Sequence, residues 1–206
     1  MEIEFFHNSV CSHCYIQSRR LQEILKDFPE ATVKHRSFPL NLHSEDPKSS
    51  VNAQEREDVV AMWKRANRVD EEKRFNVEAL ESGAEFVKPT SYMAEKALKA
   101  ASKVSDERTL WALSDAIQKA YFENLLDISD INVLESIIQS FDIDLEAWRE
   151  AFQDASLDEE MNRDFDRAES FDIDYIPALV VNGESVIKGA LRTQLVQEKL
   201  NNIRQS

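Results

Sequence analysis

The spacing of apolar positions changes twice along the chain. Residues 2–6, Glu2-Ile3-Glu4-Phe5-Phe6, are short, aromatic and partly alternating, which predicts a buried first strand, with His7-Asn8-Ser9-Val10 as the loop after it. From Cys14 onward Ile16, Leu21, Ile24, Leu25 and Phe28 recur near helical spacing, and Pro29 stops the pattern because proline cannot continue a helix. Residues 31–40 then predict a second strand with Pro39 at its exit, completing a βαβ unit. Turn chemistry over residues 41–48 is followed by helix upon helix as far as about residue 172. Within it, Ser105 precedes a stripe of Leu110, Leu113, Ile117 and Tyr121, and Ser129 precedes Ile131, Leu134, Ile137, Ile138 and Phe141. Asp144 is expected to cap Leu145, Trp148, Phe152 and Ala155, and Ser156 with Glu159 to form a capping box for a last acidic helix. Trp63, Trp111 and Trp148 read as core anchors.

The strand pattern returns at Ile176-Pro177-Ala178-Leu179-Val180-Val181, a β-branched run. Asn182-Gly183 after it, ahead of Ser185-Val186-Ile187-Lys188-Gly189, is a strong hairpin signal. Residues 193–204 close the chain as a helix with Leu195, Val196, Leu200 and Ile203 facing inward. Neither end alone supplies enough strands for a stable sheet, so the economical architecture is one sheet built from both ends. The expected division is a discontinuous α/β domain of residues 1–48 and 157–206 around an inserted all-helical domain of residues 49–156.

Composition supports this reading. Hydrophobic residues make up 42% of the chain, so there is ample core material, while 3 glycines in 206 residues argue against a turn-rich all-β fold. With 25 Lys and Arg against 39 Asp and Glu, the net charge is −14, a surface that repels phosphate backbones and anionic lipid heads. Nucleic acid and membrane are therefore not expected as partners. The excess concentrates in residues 141–174, which hold 13 acidic and 3 basic side chains and read as solvated helical faces. The first residues lack a basic, apolar and small-residue leader pattern, and no apolar run approaches a membrane span, so the expected compartment is the cytoplasm.

The two cysteines are Cys11 and Cys14, too close together to staple distant parts of a secreted fold. A CxxC pair at a helix start places the first sulfur beside unpaired N–H groups and the positive end of the helix dipole, which favour thiolate over thiol. Cys11 is then the nucleophile. Cys14, almost one turn on, can attack a mixed disulfide at Cys11, and a charged His13 between them would favour the thiolate further. A closed zinc site needs four ligands, and His7, His35 and His43 lack the spacing of a His pair for such a site, so no metal and no cofactor are expected.

These residues carry a specific resemblance. Glu4-Phe5-Phe6 ahead of Cys11-Ser12-His13-Cys14-Tyr15 resembles the active-site segment of the DsbA family of thioredoxin-fold proteins. Ser37-Phe38-Pro39-Leu40-Asn41, Ala120-Tyr121-Phe122, Asp127-Ile128-Ser129-Asp130, and residues 176–183 with Gly189-Ala190 are similar to its FrnE-like cytoplasmic branch. The resemblance implies a thioredoxin fold with a large inserted helical domain and a thiol-disulfide oxidoreductase or isomerase. It makes Cys11 the attacking cysteine, Cys14 the resolving one and Pro177 a cis-proline facing them, and Glu4 the semi-buried acid near the pair, a candidate acid or base. Ser12, which stands where many relatives have proline, and Ile176, which offers its backbone to an extended strand, are implied as substrate-binding positions. The implied partners are a protein or small-molecule disulfide and an unidentified partner that recycles the pair. Two alternatives stay open: a glutathione-dependent isomerase or transferase of the same fold, and a DsbA-like adaptor that binds a partner without catalysis.

Overall fold

The computed structural model describes residues 1–42 and 51–205. Most of the turn-rich stretch expected at 41–48, the expected boundary at 48/49 and His43 lie outside them. The chain divides into two compact units, Met1–Pro39 with Asp158–Ser206, and Leu40–Leu157.

The first unit holds β1 (Glu2–His7), α1 (Ser12–Leu25), β2 (Thr32–Ser37), β3 (Ala178–Val181), β4 (Ser185–Lys188) and α9 (Thr193–Gln205), with most of α8 (Ser156–Glu169). The sheet order is β2-β1-β3-β4, so the two ends of the chain do meet in one sheet. β1 runs parallel to β2, as the βαβ crossover requires, and antiparallel to β3, with Phe5 opposite both His35 and Leu179. Being central, β1 is buried on both faces from Ile3 to His7, which explains its nearly continuous apolar run.

Alternation along the strands sorts the two faces. Phe6, Ala178 and Val180 pack with Ala168 of α8 and with Ile173 just beyond it. The opposite face carries Ile3, Phe5, Leu179 and Val181, all buried, and α1 and α9, which pack together, are the elements of this unit left to cover it. β3 begins two residues later than the apolar run, at Ala178, and the hairpin turns through Asn182 (φ 52°) and Gly183 (φ 71°). Asn182 tolerates this left-handed region better than most side chains, and its Oδ1 accepts the Glu2 N–H at 3.0 Å, tying the turn to the start of β1.

The second unit is helical, with α2 (Ala53–Asn67), α3 (Val77–Glu81), α4 (Tyr92–Val104), α5 (Glu107–Phe122), α6 (Ile131–Ile138) and α7 (Leu145–Phe152) among its described residues. Trp63 is fully buried at its centre, with Phe86, Tyr121 and Phe122 edge-on at 5.6–5.7 Å and Phe75 at 6.1 Å. Trp148 is equally buried and spends its indole N–H on the Ala97 carbonyl at 3.1 Å, fastening α7 to α4. Trp111 is the most exposed of the three and still buried.

The helix starts differ from the serine expectations by one residue or more. Asp106, not Ser105, caps α5 through the Thr109 N–H, and Asp130, not Ser129, caps α6 through the Asn132 N–H. Where serine and aspartate compete, the carboxylate is the stronger acceptor and also meets the helix dipole. Ser105 instead ends α4, its hydroxyl donating to the Ala101 carbonyl. Ser156 lies inside α8, its N–H taken by Asp154 at 2.8 Å, whereas Asp144 caps α7 as expected.

Candidate active site

β1 delivers the chain to a short buried loop, and Asn8 shapes it. This side chain is fully buried; its amide donates to the Phe38 carbonyl at 2.9 Å and its oxygen accepts the Val10 N–H at 3.0 Å. The Asn8 carbonyl accepts the Cys11 N–H at 3.0 Å. The loop is thus pinned to the exit of β2, and Cys11 leaves it in extended conformation (φ −88°, ψ 107°) as the N-cap of α1. Its sulfur takes the place of a capping oxygen and accepts the Cys14 N–H at 3.2 Å. The Cys11 sulfur thereby satisfies one of the backbone N–H groups that a helix start leaves without an intrahelical partner.

Cys11 is 7% exposed and Cys14 is 0% exposed, and neither is bridged. Of the two cysteines only Cys11 has any exposed surface. Cys14 faces inward, one turn into the helix. Ser12 is buried, and His13 is exposed at the second helical position. On the far side of the sulfur stands the Ile176 carbonyl, 4.0 Å from Cys11 Sγ. The Ile176–Pro177 peptide is cis, and the Pro177 carbonyl accepts the Gly189 N–H at 2.7 Å, so this loop is held by the strand end of β4. The structure therefore brings Cys11, Cys14 and Ile176 together at the start of α1.

Glu4 is placed elsewhere. It shares the α8 face of β1 with Phe6 and is 2% exposed. Its carboxylate accepts Arg36 Nε at 2.8 Å and Arg167 Nη2 at 2.8 Å, while Arg36 Nη1 continues to Asp164 at 2.8 Å. Asp164 also accepts the Ser37 N–H at 2.9 Å. Burial alone would raise the Glu4 carboxyl, but hydrogen bonds from Arg167 and Arg36, backed by their charges, outweigh it and hold the group below the usual carboxylate range. An ionised, doubly paired carboxylate joins β1, β2 and α8; it is poorly suited to giving or taking a proton.

Sequence reading passed over Asn8, Arg36, Asp164 and Arg167. The signal for the last two was present, since they stand three apart on one face of α8. Their partners on two strands needed the sheet. His7 and His35, dismissed on spacing, are neighbours across β1 and β2 with ring nitrogens 2.9 Å apart. Among the described residues no group of three or more His, Cys, Asp or Glu could hold a metal ion. The helical unit contains a cavity of about 530 Å³ where α4 and α6 begin, lined by Thr90, Met93, Asp127 and Asp130 among others. Among the described residues no helix is long and apolar enough to cross a membrane.

Comparison with solved structures shows the same fold over the full chain. A Nitrosomonas europaea protein named provisionally as a protein disulfide isomerase superposes with a TM-score of 0.82 at 18% identity, covering 99% of this chain and 97% of that one. The cytosolic disulfide reductase DsbM of Pseudomonas aeruginosa, solved with GSH, gives a TM-score of 0.77 at 13% identity with 100% of both chains covered. A 2-hydroxychromene-2-carboxylate isomerase gives 0.63 at 14% identity, covering 100% of this chain and 97% of that one. A search of the curated proteins finds no match. The family model of the DSBA-like thioredoxin domain matches residues 2–201, and with that span, sheet order and cysteine placement, the chain belongs to the DSBA-like thioredoxin domain family.

Proposed function

We propose that the protein is a thiol-disulfide oxidoreductase acting on protein or small-molecule disulfides. The observation that carries this reading is Cys11 as a sulfur N-cap, slightly exposed, bonded by the Cys14 N–H and facing the Ile176 carbonyl across 4.0 Å. In the reducing direction the Cys11 thiolate attacks one sulfur of the substrate disulfide. A Cys11–substrate S–S bond forms, the substrate S–S bond breaks, and its second sulfur leaves as a thiolate that takes up a proton. Cys14, losing its proton, then attacks Cys11 Sγ, so that the Cys11–Cys14 disulfide forms and the first substrate sulfur leaves. Two electrons pass to the substrate, and an external thiol or disulfide partner resets the pair. The same steps in reverse oxidise a dithiol.

Cys11 is the attacking sulfur in the reducing direction, the substrate sulfur leaves when Cys14 resolves, and Cys11 itself leaves only when a substrate thiol attacks the mixed disulfide at the substrate sulfur. His13, exposed beside the pair, adds positive charge to the start of α1 when protonated. Ser12 and Ile176 are the substrate-facing positions, Ile176 through its backbone. DsbM is described as cytosolic and was solved with GSH, which supports a cytoplasmic setting here and makes glutathione a first candidate for the recycling thiol.

Trapping tests the assignment. Cys14→Ala should accumulate mixed disulfides at Cys11 with a peptide disulfide, whereas Cys11→Ala should accumulate none. Equal trapping by both variants, or turnover by Cys11→Ala, would reject these roles. Equilibration in glutathione buffers gives the reduction potential and decides between reductant and oxidant.

A further inference from the structure

We infer that Tyr175 is a specificity-determining contact for polypeptide substrates, selecting disulfides flanked by an apolar or aromatic side chain. The inference deepens the thiol-disulfide exchange reading and rests on it. Tyr175 is 51% exposed, the most exposed of the large apolar side chains among the described residues. It immediately precedes Ile176, whose carbonyl meets Cys11 Sγ at 4.0 Å. The exposed half of this ring, next in sequence to Ile176, contributes no burial to the fold and is buried favourably only when something is laid on it.

The ring is also held in place. Its Cε2 edge lies 3.7 Å from where a β-carbon of Gly189 would sit, and Gly189 takes φ +88°, so the ring rests against bare backbone. Lys188 Nζ stands 5.6 Å from the ring centroid as a cation over its face. That ammonium is itself fixed by the Asp174 carboxylate at 2.9 Å and by the Asp172 carbonyl. A ring propped by Lys188 and Gly189 loses little freedom when a ligand stacks on it, which is what makes a contact surface effective.

Distance selects the ligand's form. A polypeptide lying extended along Ile176 advances about 3.3 Å per residue, so the side chain one or two positions from the attacked cysteine falls at Tyr175. A compact small-molecule disulfide has nothing there. In the discriminated step the Cys11 thiolate attacks the substrate sulfur, forms the mixed disulfide and expels the other substrate cysteine as thiolate; Tyr175 takes no part in the electron transfer and acts only on binding.

The experiment compares three disulfides as substrates: a peptide with Phe next to the cysteine, the same peptide with Ser there, and bis(2-hydroxyethyl) disulfide. Tyr175→Ala should raise KM about tenfold for the Phe peptide with kcat unchanged, and leave the other two within about twofold. Tyr175→Phe should retain wild-type preference, since the ring and not the hydroxyl makes the contact. An equal change with all three substrates, no change with the Phe peptide, or a loss in kcat alone overturns the inference while exchange itself stands. A wild-type protein inert towards all three overturns the exchange reading, and the inference falls with it.

Discussion

Replacing Arg36 by Met tests whether the buried charges beneath β1 hold the sheet unit together. Arg36 is 17% exposed in its side chain and bonds two carboxylates, Glu4 and Asp164, each 3% exposed. Methionine has a similar apolar stem and no charge, so the volume is kept while both carboxylates lose a guanidinium. Breaking such a buried pair from one side typically costs about 3–5 kcal/mol. The low end is expected, about 3 kcal/mol, because Glu4 keeps Arg167 and Asp164 keeps the Ser37 N–H. For a chain of this length that is a fall in Tm of about 10 °C. Arg167→Ala should cost only about 1 kcal/mol, because that side chain is 39% exposed and water replaces much of what is lost.

The dependence on pH follows from the direction of the Glu4 shift. Its carboxyl titrates lower in the folded chain than in the unfolded one, so its stabilising share is complete above the unfolded value of about 4.3 and is lost as pH falls through the folded value. The gap between wild type and Arg36→Met should therefore be widest near neutrality and close below about pH 4. Thermal unfolding followed by circular dichroism between pH 3 and pH 7.5 measures both effects. A loss under about 1 kcal/mol at pH 7, or a gap that does not change with pH, would refute the argument. Glu4→Gln supplies the functional half: it should destabilise the protein yet leave the exchange rate per folded molecule unchanged, and a slowed rate would return Glu4 to an acid or base role.

Three further outcomes are expected. Asn8→Ala, which removes the buried clamp on the loop before Cys11, should cost about 1–3 kcal/mol and slow exchange in the protein that still folds; stopped-flow with a peptide disulfide reads the second effect. Iodoacetamide on the reduced protein should modify Cys11 well before Cys14, as peptide mass spectrometry would show, because only Cys11 is open to solvent; simultaneous labelling would contradict the burial. Trp63→Ala should cost about 3–5 kcal/mol by emptying the centre of the ring cluster in the helical unit, measured by urea denaturation, and a cost under about 1 kcal/mol would mean that the cluster collapses to fill the space.

Local chemistry made some features legible from the residues alone. Period-two and period-3.6 spacing placed β1, α1, β2, the 178–188 hairpin and α9, because each of those segments must bury one side or both and its apolar residues are spaced accordingly. Cys11 and Cys14 were legible as a candidate redox pair because three residues of separation at a helix start needs no other part of the chain. Helix starts were less legible, since Ser105, Asp106, Ser129 and Asp130 can all cap and only the folded backbone chooses among adjacent candidates. The tertiary structure alone decided which distant residues share a face: Asn8 with Phe38, Ile176 with Cys11, Tyr175 with Gly189, and Glu4 with Arg36, Asp164 and Arg167. Those pairings span 14 to 165 positions of chain and depend on sheet order and register, which no local pattern encodes; a one-residue slip of β1 would have turned Glu4 away from α8 and the guanidinium groups that hold its charge.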